Sequence, residues 1–326
     1  MRLGEISRIN SPSGRGRDAL GIILEESPFL RFLDQCSAWE LDATVFNFRP
    51  GTSIAMNTQV RALGGSYTAQ DLNLPELVAD SQKFHGGEVD IDVSYLADKN
   101  RNLRDFSAWF IKDLRVRIKQ FAIAYESLLF NGTGLTHIIK GLKEIINGDD
   151  LPGFDGVTNL LNAQAVTGGS TKSCDLSVTT NYAKWIEWLY LALSKVKNPA
   201  GLIMNPTLFA RMSTIAKREN MLGQSIDDFG NPIPNFNGIP MIQVLDTSIL
   251  NNEPDDTPTT PLPSTTSLYI MSPKEQGLSL VSNSGLEWWD YDHLENKKSG
   301  KETFEIRGAW KIEDMYTIER IRNIKI

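Results

Sequence analysis

The chain has 326 residues, of which 41% are apolar, a formal net charge of −7 and two cysteines. That length allows one large domain or two ordinary ones with a sizeable core. The acidic balance argues against a dedicated nucleic-acid binder. Cys36 and Cys174 lie far apart and in no metal-ligand spacing, so they read as reduced thiols of a reducing compartment, and no apolar run reaches membrane-spanning length or reads as a signal peptide.

Residues 1–20, MRLGEISRINSPSGRGRDAL, mix Gly, Ser, Pro and Arg without periodicity, so an arm is expected that orders only against a partner or another part of the chain. Arg2, Arg8, Arg15 and Arg17 against Glu5 and Asp18 give it a mild positive charge, suited to a phosphate backbone or to a neighbouring protein. Ser27 and Pro28 read as the cap and first-turn proline of a short helix over Phe29 to Leu33 and onward. From Trp39 to Leu96 the period changes to two. Strands are expected at Thr44 to Phe48 and at Thr52 to Arg61, with Pro50 and Gly51 turning between them. The polar stretch 66–84 cannot close a core by itself, so residues 64–84, like the arm, are expected to order only in an assembly. After Gly86 and Gly87, Val89, Ile91, Val93 and Tyr95 alternate with Glu88, Asp90, Asp92 and Ser94: one strand, one apolar face, one row of acids.

Leu103, Phe106, Phe110, Leu114, Ile118, Phe121, Tyr125 and Leu128 then recur at spacings of three and four, predicting one helix about 40 Å long that ends at Asn131 and Gly132. Its first five turns carry Arg101, Arg104, Lys112, Arg115, Arg117 and Lys119 against Asp105 and Asp113. The preceding segment is acidic, with Asp71, Glu76, Asp80, Glu88, Asp90 and Asp92. Charges so segregated fit docking between copies of the chain or a salt-bridged surface within it. Asp90 and Asp92 share a strand face, but no histidine accompanies them, so they are not read as a catalytic or metal pair.

Further on, a short helix is expected over Thr136 to Ile146. A helix over Leu176 to Val196 is expected with Asp175 as its cap, a buried strand at Leu202 to Met204, and a helix from Asn205 and Pro206 through Lys217. With a strand at Ile239 to Leu245 these make a compact α/β unit. The tract 251–266, with four prolines, reads as an exposed loop. Strands resume at Ser267 to Met271 and Leu278 to Ser282, and Trp288 with Trp289 read as core or interface. At the end, two strands about Gly308 and a third ending near Ile321 are expected to pack on the long helix.

This order of features resembles the major capsid proteins of tailed double-stranded DNA bacteriophages. The likeness is carried by the arm, the extended loop, the strand GEVDIDVSYL, the helix ending LLFNGTG, the segments HIIKGLKEII and NPAGLIMNPTLFARM, the strand FNGIPMIQV and the alternating terminal strands. It covers nearly the whole chain apart from 251–266. Gly238, Ile239 and Pro240 resemble the family's Gly-x-Pro strand start, whereas Thr133 stands where an acid or polar residue is usual.

The resemblance implies an α+β, HK97-like major capsid protein fold. Its parts are an N-terminal arm (1–40), an extended two-stranded loop (41–88), a peripheral domain with a long spine helix (89–140 and 286–326) and an axial α/β domain (141–285). It implies a structural protein with no catalytic, cofactor or metal site, located in a virion assembled in a host cytoplasm. Its implied partners are copies of itself as pentamers and hexamers of an icosahedral shell, scaffolding and portal proteins, a decoration protein, and double-stranded DNA touched weakly and without sequence preference; no membrane is involved. The residues expected at contacts between subunits are Arg15, Arg17, Asp71, Glu76, Asp80, Glu88, Asp90, Asp92, Arg104 and Arg115. Two other readings stand beside this one: an encapsulin-like cellular shell enclosing cargo enzymes, and a soluble enzyme. The enzyme reading lacks support in His85, His137 and His293, which are scattered through unrelated segments.

Overall fold

The computed structural model describes residues 1–3, 5, 14–48, 77–92, 103–146, 160–162, 174–226, 232–245, 247–250, 265–274, 277–291 and 299–326. The expected strand at Thr52 to Arg61, the segment Val93 to Tyr95 and the proline-rich tract 251–264 lie outside these residues.

The periodicity that predicts the long helix corresponds to a single element, α3 (Leu103–Asn131). It ends where glycines are required. At Gly132 a Cβ would overlap the carbonyl oxygens of Ile139 and Leu128, and Gly134 has φ +69°, in the left-handed region. The chain turns back at once, and Thr133 bridges Lys140. That bridge takes up most of the helix expected from Thr136, leaving only the single turn α4 (Leu142–Ile145).

The N-terminal segment orders against another part of the chain, the second of the two expected partners, and not only in an assembly. It forms α1 (Gly14–Glu26) and, after Ser27, α2 (Pro28–Gln35), in which the Ser27 hydroxyl accepts the Leu30 N–H at 3.2 Å and Pro28 opens the first turn as predicted. Leu3, Ala19, Leu20 and Ile23 are buried in the same core as Phe121 and Tyr125 of α3, and Glu26 is ion-paired with Lys119. The described part of residues 1–20 therefore orders within the chain itself, against a helix that lies far from it in sequence. Its few apolar residues are too sparse to signal a fold alone and suffice once α3 supplies the other side.

The first sheet contains β1 (Trp39–Leu41), β4 (Lys83–Asp92), β12 (Leu278–Ser282), β13 (Leu286–Tyr291) and β14 (Ser299–Ile312). β14 lies at its centre, antiparallel to β4, to β13 and, through its last residues, to β12, which pairs with β1 in parallel. Two expectations change here. β14 runs unbroken through Gly308 instead of splitting in two: a Cβ at that position would overlap the hydroxyl of Tyr125, so the glycine serves close approach of helix to strand and not a turn. β4 likewise starts before Gly86 and Gly87, where side chains would strike β14, with a Cβ on Gly86 only 2.7 Å from the Phe304 carbonyl oxygen. A ribbon of β2 (Val45–Phe48) and β3 (Val78–Ser81) covers the sheet with Phe46, Phe48 and Val78, packed on Val281 and Ala309.

The second sheet has the order β5 (Leu160–Asn162), β15 (Ile318–Lys325), β11 (Thr265–Met271), β7 (Gly201–Met204), β10 (Ile239–Gln243), β9 (Pro232–Phe236) and β8 (Leu222–Ile226). β6 (Cys174–Asp175) also pairs with β15. Helices α5 (Tyr182–Lys195) and α6 (Pro206–Arg218) cover one face. Asn205 caps α6 as predicted, accepting the Leu208 N–H at 2.8 Å. Asp175, expected to cap α5, does not do so. It is held extended by pairing with β15, its carboxylate accepts the Ser177 N–H at 2.9 Å, and the helix begins at Tyr182 after a 3-10 turn. Along β7 and β11 successive residues feed two different cores: Leu202, Met204, Leu268 and Ile270 face α5 and α6, while Ile203, Tyr269 and Met271 face α3.

Candidate assembly surface

Of the residues expected at subunit contacts, Asp71 and Glu76 lie outside the described residues. Arg15 and Arg17 fall on α1, which the structure docks along α3. Asp80 is half-buried on β3, where its carboxylate accepts the Ser81 N–H at 2.7 Å. Glu88 is exposed on β4. Asp90 stands in register with Lys301 of β14 and Asp92 with Ser299, so the acid row has a lysine of the same chain as a cross-strand neighbour. On the outer face of this sheet, Arg307 lies between Glu287 at 3.3 Å and Glu305 at 3.1 Å and covers the Phe84 ring at 4.5 Å.

Arg104 is in the first turn of α3 and Arg115 three turns later, about 16 Å along the axis. Arg115 is exposed beside Val116, itself 47% exposed, and has no ion-pair partner among the described residues. The structure thus leaves this turn of α3 as basic surface and gives several of the acids neighbours within the chain. Of the paired tryptophans, Trp288 is buried and stacked on Phe304, while Trp289 is 39% exposed.

Sequence reasoning overlooked the buried polar groups that tie these elements together. Glu126, fully buried on α3, accepts from the Ser27 hydroxyl, from the Leu245 N–H at 3.2 Å and from the Ser248 hydroxyl at 2.8 Å. It thereby joins α2, α3 and the segment after β10. The signal was present: Glu126 is four residues after Ala122 and three before Leu129, on the apolar stripe, where a carboxylate needs a reason. Arg320, 2% exposed on β15, donates to the Ile146 carbonyl at 2.9 Å and to the Ser267 hydroxyl at 3.2 Å, and so fixes α4 to the second sheet. Glu319 is 1% exposed and meets the Lys195 ammonium at 3.1 Å; burial raises its carboxyl to about 7 despite that lysine.

Among the described residues, no group of three or more His, Cys, Asp or Glu side chains is placed to hold a metal ion, and no helix is long and apolar enough to cross a membrane. His85 is packed between strand and helix, and His137 is exposed on the turn after α3. A shallow groove along α5 is lined by Lys184, Glu187, Trp188, Tyr190 and Leu191, with one charge of each sign.

Comparison with solved structures shows that this arrangement, a long helix packed on a strand-rich layer beside a helix-covered sheet, resembles in fold the HK97-like capsid and encapsulin shell proteins. The chain superposes on the SrpI encapsulin of Synechococcus elongatus PCC 7942 with a TM-score of 0.56 at 14% identity, covering 88% of this chain and 85% of that one. The procapsid of satellite phage P4 superposes at 0.51 with 11% identity, over 95% of this chain and 99% of the other. The capsid of a native GTA particle does so at 0.53 with 14% identity, over 90% and 89%. No protein-family model matches the chain, and no curated protein matches it in sequence.

Proposed function

We propose that this chain is the building unit of a closed protein shell assembled from many copies of itself, with a structural and not an enzymatic role. The observation that carries the reading is that the shell-protein fold accounts for almost the whole chain, 88% to 95% of it, so little remains to build a different machine. The exposed basic turn at Arg115, which has no ion-pair partner among the described residues, is the feature best suited to a contact outside a single copy. Contacts between copies are proposed to draw on Arg104 and Arg115, on the arginines of the N-terminal segment, Arg15 and Arg17, and on the acids from Asp71 to Asp92.

Two contents are supported. The higher superposition on the encapsulin favours a cellular container for protein cargo. The nearly end-to-end match with the P4 procapsid favours a phage head, with scaffolding and portal proteins as partners and DNA held loosely inside. Electron microscopy of the purified protein tests the shell: closed particles are expected, and a protein that stays monomeric across concentration and salt overturns it. Nuclease-protected DNA in particles from the native source selects the head, whereas a stoichiometric co-purifying protein with no DNA selects the container.

A further inference from the structure

His85 sits where β4 crosses α3. Side chains alternate along the strand, so Phe84, Gly86 and Glu88 face outward while His85 and Gly87 face the helix. Gly87 offers no side chain there, and Phe304 fills the space over it, 2.6 Å from where a Cβ would stand. This stretch of β4 therefore holds the helix through the imidazole. Its ring lies 4.8 Å from Phe121 at 17° and 5.6 Å from Tyr125 at 20°, two rings one turn apart on α3. Phe121 in turn meets Phe304 edge-on at 5.0 Å, and Phe304 stacks on Trp288 at 5.6 Å, so the imidazole closes a row of rings running from β13 to the helix.

His85 Nε2, the Tyr125 hydroxyl and Trp288 Nε1 are buried with no hydrogen-bond partner among the described residues. Among the described residues, the charged groups of the surrounding elements pair elsewhere or face outward. Glu305 and Arg307 of β14 and Glu287 of β13 pair on the outer face. On α3, Glu126 is turned to Ser27 and Ser248, and Lys119 to Glu26 of α1. On β4 itself Lys83 donates to the Ser81 hydroxyl and Glu88 is on the outer face. Tyr125 is the other titratable group in the row, and burial pushes its hydroxyl pKa up, so it stays neutral.

We propose that His85 is an acid-sensitive latch between β4 and the long helix: neutral, it stacks and holds the strand, and protonated, it releases it. A proton would place a full charge and an unpaired N–H among aromatic rings with no carboxylate facing it among the described residues, which is costly. Attraction of the cation to the ring faces returns only part of that cost. Burial accordingly moves the imidazole below its usual 6.5, so the neutral form is the one the fold favours, and its contribution is lost as pH falls below about 6.5. Release should stop at Gln82, which is fixed separately: its side-chain amide donates to the carbonyls of Asp42 and Ala43, at 3.1 and 2.9 Å, and accepts the Asn283 N–H at 2.9 Å.

Hydrogen exchange of the full chain and of His85→Gln, measured at pH 7.5 and 5.0 and corrected for intrinsic rates, tests this. In the wild type, opening of residues 83–92 is expected to increase by about tenfold per pH unit below 6.5, until the folded-state pKa is reached. Residues 78–82 are expected to stay unchanged, and in His85→Gln the strand should show no such rise. A wild type indifferent to pH, or a variant that opens as much as the wild type, overturns the latch. Should the variant fail to fold, the His85 imidazole can be titrated by NMR in the wild type, where a pKa at or above 6.5 would equally overturn it.

Discussion

The two sides of the second sheet are built in different ways. On one side α5 and α6 pack on β7, β10 and β11 with side chains drawn mainly from residues 174–270, joined by Ile321 and Ile324 of the last strand. On the other side Ile203, Tyr269 and Met271 meet a core assembled from the N-terminal helices, the middle and end of α3, and the strands from Leu278 to Ile318. Phe130 lies 4.5 Å from Phe29 and 5.4 Å from Tyr269, and the Trp310 indole donates to the Leu129 carbonyl at 3.0 Å, so one end of the long helix is fixed by elements from three distant parts of the sequence. The difference shows how the cost of closure is distributed. The α/β side is closed by neighbours in sequence, whereas the helix side requires long-range contacts whose loop entropy is repaid only when all are present.

The largest expected effect comes from breaking the helix side at its polar joint. Glu126→Ala leaves the buried Ser248 hydroxyl and the Leu245 N–H unsatisfied and removes the partner of Ser27, and about 3 to 5 kcal/mol of stability should be lost in urea unfolding. Because β7 and β11 feed both cores, the transition should stay single. Two separated transitions would instead show that the sides are independent units.

On the α/β side, Glu319 makes a pH-dependent counterpart. Its carboxyl is raised from 4.5 to about 7, first by burial, with Lys195 opposing, so ionising it costs the folded state. Stability from this group is therefore full below about pH 4.5, declines as pH rises to about 7 and is flat beyond, a loss of roughly 3 kcal/mol. Glu319→Gln should remove that slope in urea midpoints taken across this range. A slope that persists in the variant would assign it to other groups.

A smaller effect, about 1 to 3 kcal/mol, is expected for Gly308→Ala, whose methyl group collides with the Tyr125 hydroxyl. Tyr125→Phe removes the colliding atom, so the double variant should recover most of the loss and give a clear coupling energy. Additive effects would mean that the strand, and not the helix, sets the limit at this crossing.

Smallest for the single chain is the reversal Arg104→Glu with Arg115→Glu, expected to change stability by less than about 0.5 kcal/mol because Arg115 has no ion-pair partner among the described residues. The same change is expected to lower shell yield and alter its dependence on salt. Loss of monomer fold would place these charges inside the chain.

What the sequence determined by itself were the elements whose signals are local. The 29-residue helix followed from a three-and-four apolar spacing and a glycine stop, α2 and α6 from a cap followed by proline, and β7 from a short apolar run after a glycine. From their order came the shell-protein resemblance, which the superpositions support at the level of fold. Tertiary structure alone decided whatever depends on a partner far along the chain. The arm folds because α3 gives Leu20 and Ile23 something to bury against. Gly308 lies within a strand and not between two because Tyr125 crosses there. Asp175 gives up its cap because β15 takes the residue into a sheet. Each of these sites had an ambiguous local preference, and long-range burial and hydrogen bonding, worth more than the tenths of a kcal/mol that propensity supplies, settled it.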